Sequence, residues 1–130
     1  MARNRFAAFE PYLLSTLRII AGFLFIAHGV QKLFGWLGGQ RVDLASQAGV
    51  AGVLETFGGA LLLLGLFTRP VAFVLSGQMA FAYFIVHARQ GFWPILNRGE
   101  LAVIYCFVFL YLAAAGPGPI SLDRALRRVR

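Results

Sequence analysis

The twenty residues from Gly49 to Thr68 carry one charged side chain, Glu55. A helix needs about 20 residues to cross the hydrocarbon core of a bilayer, and this stretch has that length and that polarity. Further apolar runs cover 13–33, 70–88 and 100–115. Lipid offers no partner to backbone N–H and C=O groups, which leaves helices and closed barrels as the ways across. Runs this long and continuously apolar read as helices, not as the short alternating segments of a barrel. The expectation is an all-α integral membrane protein, a four-helix transmembrane bundle, occupying residues 1–130 as one domain. Composition agrees: 13% of residues are charged, where a soluble domain carries about a quarter.

The connections follow from the residues between the runs. A glycine-bearing polar stretch, GWLGGQRVDLASQ, separates the first two spans, and Arg69-Pro70 marks a tight turn before the third. RQGFWPILNRG leads into the fourth span and GPGP ends it, since two glycines and two prolines do not continue a helix. The first run follows Arg3 and Arg5 as a signal peptide would. It is long for a signal-peptide core and has no clear small-x-small cleavage site, so it reads as a retained helix.

Four spans place both termini on one side with the Arg69 turn. That side collects Arg3, Arg5, Arg69, Arg124, Arg127, Arg128 and Arg130, against Lys32, Arg41, Arg89 and Arg98 on the other. The excess of positive charge faces the cytoplasm, so both termini are expected there, in a bacterial inner membrane. Trp36 and Trp93 then fall at the outer interface. The net charge of +7 sits at span ends and in the RALRRVR tail, where it reads as topology signal and headgroup anchor and not as a nucleic-acid surface. The single cysteine, Cys106, excludes thiol oxidation within the chain and cysteine-held clusters. No metal site is expected.

With this topology the ionisable groups of four helices meet at one depth, in the outer half: His28 and Lys32 from the first, Glu55 from the second, His87 from the third, Glu100 from the fourth. Helical phase puts Arg18, Gly22, Gly29 and Lys32 on one stripe, and Gly52, Glu55, Thr56 and Gly59 on another. Charges inside a bilayer face the bundle interior, paired or wetted. Glu55 is therefore expected inside, paired with Lys32, Arg18 or a histidine, or else protonated. Arg18, near the inner surface, is also placed to snorkel. An interhelical ion pair can exist for packing alone; convergence of His28, Lys32, Glu55, His87, Arg98 and Glu100 would exceed what packing needs. A lone histidine on each of two helices is more often a hydrogen-bond partner than a haem ligand.

The segments LRIIAGFLFIAHGVQKLFG, GVLETFGGALLLLGLFTRPVA and GFWPILNRGELAVIYCFVFLYLAAAGPGPISLD together resemble the DoxX family of small bacterial four-helix membrane proteins, over about residues 13–124. The family often reads N-G-G-E before the fourth helix, where this chain has Arg98 between Asn97 and Gly99. The resemblance implies a polar site at His28, Lys32, Glu55, Asn97 and Glu100, with His87 added by the depth argument. It also implies a redox-associated subunit, since founding members resemble the small membrane subunit of a thiosulfate:quinone oxidoreductase.

The chain shows no flavin, nicotinamide or cluster motif, so no intrinsic cofactor is expected. Quinone is the expected ligand, and the redox centre would come from a partner subunit. Two other readings stay open. One is a structural or assembly subunit whose polar groups fix helix packing. The other is a small transporter or proton path, for which four short helices are few without self-association.

Overall fold

The computed structural model describes residues 4–129, with Val129 as backbone alone. Arg3 and Arg130, counted above among the inner arginines, lie outside the described residues. Every regular element among those described is helical. A 3₁₀ turn at Arg5–Phe9 leads into α1 (Glu10–Phe34), followed by α2 (Gln47–Leu64) and α3 (Thr68–Ala82). A π-helical turn, Tyr83–His87, and a 3₁₀ turn, Ala88–Gln90, extend α3. The short α4 (Pro94–Asn97), the apolar α5 (Glu100–Ala115) and the basic α6 (Leu122–Val129) complete the chain. Arg5–Phe34, α2 and Thr68–Gln90 are long and apolar enough to cross a membrane; α5, at Glu100–Ala115, is apolar but shorter.

Local chemistry explains the boundaries. Pro11 sits in the first turn of α1, where its missing N–H is not needed. The Ser46 hydroxyl caps α2 by accepting from Gly49 N–H at 3.1 Å. α2 stops at Leu64, four residues before the expected end, because Gly65 takes the left-handed conformation (φ 69°) that closes a helix. The reverse turn is consequently Gly65–Leu66–Phe67, not Arg69-Pro70. Arg69 and Pro70 belong to the first turn of α3, again a position where proline removes no helical hydrogen bond.

The helices pack mainly as two pairs, α1 with α2 and α3 with α5, joined by lighter contacts of α2 with α3 and α1 with α5. The first pair meets along the predicted small-residue stripes. A Cβ on Gly22 would lie 2.7 Å from the carbonyl oxygen of Gly59, and one on Gly59 would lie 2.9 Å from that of Gly22. Without side chains there the backbones approach closely, which is how membrane helices gain packing energy in a solvent as apolar as they are. In the second pair the Ser76 hydroxyl donates to the Cys106 carbonyl at 2.8 Å. Phe25, Tyr105 and Phe109 form an aromatic centre, with ring centroids 4.8–5.5 Å apart. Outside this core, large apolar side chains such as Phe23, Phe57, Phe73 and Phe107 are exposed, as lipid-facing residues are.

Arg18 does not snorkel and does not reach Glu55. It is completely buried and is spent on backbone carbonyls. Its Nε donates to Pro117 O at 2.8 Å and Nη1 to Leu63 O at 2.8 Å. It also donates to the carbonyls of Leu62 and Ile120. Leu62 and Leu63 belong to the last turn of α2, whose carbonyls lack the regular donor four residues on, so a cation is favoured there by both hydrogen bonding and the helix dipole. The fixed fork of a guanidinium can serve several such acceptors at once.

The same end of the bundle holds two more terminal caps. Asp123 accepts from the backbone N–H groups of Phe67 at 2.8 Å and Thr68 at 2.9 Å, closing the start of α3. Arg69 donates to the carbonyls of Ala113 and Ala114 at the end of α5. Burial raises the Asp123 carboxyl, but the two N–H donors and the Arg127 cation outweigh it and hold the group below the ordinary aspartate range.

Candidate functional site

At the other end of the bundle the polar residues fall into two constellations. In the first, Lys32 near the end of α1 donates from Nζ to Glu55 Oε1 on α2 at 2.6 Å. Gln78 on α3 donates from Nε2 to the same oxygen at 3.3 Å. The Glu55 side chain is 3% exposed and that of Lys32 is 33% exposed. The carboxylate is therefore held inside while the ammonium reaches outward along its apolar stem. Glu55 Oε2 and Gln78 Oε1 are buried with no hydrogen-bond partner. Orphaned buried acceptors cost free energy and are scarce in folded proteins.

Helix phase and the close approach of α1 and α2 together place Glu55 here. Gly52 and Gly59 let α1 and α2 close upon each other, and the carboxylate between them on the same face meets Lys32. Tyr105 on α5 is buried. His28 is half-buried, edge-on to the Tyr105 ring with centroids 6.2 Å apart. Sequence reasoning missed Gln78 and Tyr105. Gln78 was legible as the one amide within the third apolar run; Tyr105 gave no signal that separates it from a packing aromatic.

The second constellation closes the segment between α3 and α5. Asn97 is completely buried. Its Nδ2 donates to Gly91 O at 2.9 Å and to the Tyr83 hydroxyl at 3.3 Å, and its Oδ1 accepts from Gly99 N–H at 2.8 Å. His87 Nδ1 lies 3.0 Å from the Asn97 carbonyl, and its ring stacks on Tyr83 with centroids 6.4 Å apart. These side chains satisfy one another and the loop backbone.

Glu100 is exposed and lines, with Arg98, Leu101 and Ile104, an open depression of about 330 Å³. The expected convergence of His28, Lys32, Glu55, His87, Arg98 and Glu100 is thus divided: Lys32 and Glu55 meet, His28 packs edge-on to Tyr105, His87 joins Asn97 in a loop clamp, and Arg98 and Glu100 are exposed at an open depression. Among the described residues no three His, Cys, Asp or Glu side chains gather as a metal site would require.

Arg98 caps α4 in the left-handed region, at φ 61°. That conformation favours glycine, because a Cβ crowds the following carbonyl oxygen. The second letter of the N-G-G-E pattern is therefore the residue this backbone prefers, and the arginine occupies it under strain.

The family model for DoxX matches residues 13–88. The chain belongs to the DoxX family. An uncharacterized Haemophilus influenzae protein is 44% identical over 92% of this chain and 95% of its own length. The Escherichia coli inner membrane protein YqjF is 32% identical over 85% of this chain and 89% of its own. A Bacillus subtilis protein bearing the name "Putative oxidoreductase CatD" is 29% identical over 82% of this chain and 81% of its own. No solved structure matches. With relatives of this kind and several long apolar helices, this DoxX protein is a multi-pass bacterial membrane protein.

Proposed function

We propose that this DoxX protein is a non-autonomous subunit or accessory of quinone-linked redox chemistry in the inner membrane. In this reading α1, α2, α3 with its extension, and α5 are four spans, both termini are cytoplasmic, and the Lys32–Glu55–Gln78 cluster lies towards the outer leaflet. The observation that carries the proposal is the buried Glu55 with one oxygen unpartnered, beside a cation that reaches the surface. Arg18 and Asn97, by contrast, direct their polar atoms at backbone partners. Glu55 retains capacity for a ligand and for a proton, as acid–base work in quinone chemistry requires. The name of the Bacillus relative points in the same direction.

The test is quinone content per mole of protein, purified gently from its native membrane, for wild type and Glu55→Ala. Near-stoichiometric quinone, lost in a variant that still folds, supports the proposal. No quinone in either, although the membrane supplies it, refutes it. That result would favour the second reading, a structural subunit without a ligand of its own, for which the Arg18 and Asn97 clamps are the supporting observation.

A further inference from the structure

The cluster is short of a particular kind of group. Both donors that reach it, Lys32 Nζ and Gln78 Nε2, converge on Glu55 Oε1. The two atoms left over, Glu55 Oε2 and Gln78 Oε1, are both acceptors. A ligand that partners either of these buried oxygens must bring a donor. An oxidised quinone has only acceptor oxygens at its ring, whereas the reduced hydroquinone carries O–H groups.

The surface beside the cluster supplies the place for a hydrocarbon chain. Between α2 and α3 runs a groove of about 310 Å³, lined wholly by apolar side chains, among them Val53, Phe57 and Leu61 from α2 and Pro70, Val74 and Leu75 from α3. Phe57 and Val74 are exposed, so in a bilayer the groove opens to lipid. Its lining includes Leu54, next to Glu55 in the chain, and Gln78 follows Val74 by one turn of α3. The Gln78–Glu55 hydrogen bond therefore bridges the same α2–α3 seam, at the end of the groove away from the Gly65–Phe67 turn. A chain lying in the groove would carry its headgroup past Leu54 towards the Gln78–Glu55 hydrogen bond, whose two residues adjoin the groove without lining it.

We infer that the site selects the reduced form of a lipid quinone, its hydroxyl donating to Glu55 Oε2 and its chain seated in the α2–α3 groove. This rests on the quinone-linked reading above and adds to it the redox form and the place. Satisfying one buried acceptor is worth roughly tenfold to a hundredfold in affinity.

The experiment uses the full chain, stripped of endogenous quinone and reconstituted in nanodiscs. Decylubiquinol and decylubiquinone are titrated separately under anaerobic conditions. Wild type is expected to bind the quinol at least tenfold more tightly. Glu55→Gln replaces the free acceptor by an amide N–H and is expected to reverse the preference towards the quinone. Val74→Trp, at a lipid-exposed position, fills the groove and is expected to weaken both forms.

Equal or tighter binding of the oxidised form by wild type overturns the inference while leaving the quinone-linked role standing. Binding of neither form overturns both. A quinol preference unchanged in both variants overturns the placement. Should Glu55→Gln fail to fold, the wild-type ratio decides the redox form and Val74→Trp decides the place.

Discussion

Breaking the Lys32–Glu55 pair from its two ends should have unequal consequences, because burial differs so sharply between the partners. The carboxylate side chain is 3% exposed and the lysine 33%. Lys32→Met leaves Glu55 inside with only the long 3.3 Å hydrogen bond from Gln78. Stranding one member of a buried ion pair costs about 3–5 kcal/mol. Glu55→Gln leaves an ammonium that already reaches the surface and can extend further along its methylene stem. The glutamine retains one acceptor for it, and the loss should resemble that of a partly exposed pair, about 0–1 kcal/mol. The difference, about 3 kcal/mol, is large against the usual stability of a small protein. Reversible unfolding in mixed detergent micelles, monitored by tryptophan fluorescence, measures both variants under one condition. Equal costs for the two, or a greater cost for Glu55→Gln, would refute the assignment of Glu55 as the buried partner and Lys32 as the one reaching water.

Other consequences are more local. Arg18→Lys keeps the charge but loses the fork that serves carbonyls on α2 and on the GPGP segment; a lysine cannot reach all of them, and a loss of about 2–3 kcal/mol is expected in the same unfolding assay. Arg98→Gly relieves the left-handed backbone at φ 61° and should stabilise the protein by about 1 kcal/mol, seen as a higher midpoint. Asp123, held below the ordinary aspartate value of about 4, contributes stability that is present above that value and is lost as pH falls through its lower folded-state value. A wild-type unfolding midpoint should accordingly fall on acidification below about pH 4 more steeply than that of Asp123→Asn.

The solvent, the helical class and the family were legible in the order of the residues. Long apolar runs leave a chain few structures in lipid, and the runs survive any uncertainty about packing. Helix α5, Glu100–Ala115, begins and ends where the polar Asn97–Gly99 stretch and GPGP place it, since both limits are set by residues local in the chain. Glycine stripes at helical spacing likewise announced which faces of α1 and α2 would meet, and that meeting fixes the Lys32–Glu55 pair.

The end of α2 and the role of Arg18 were decided elsewhere. Asp123, 55 residues after Thr68, caps the start of α3, and Arg18 finds its acceptors on Pro117 and Ile120. Hydrogen bonds between segments so far apart leave no periodic trace in sequence. The same reason hid Gln78 beside Glu55 and Tyr105 beside His28, and drew His87 to Asn97. Depth in the membrane can be estimated by counting residues along each helix. Which polar groups at one depth touch depends on the rotation and pairing of the helices, and tertiary packing alone sets those.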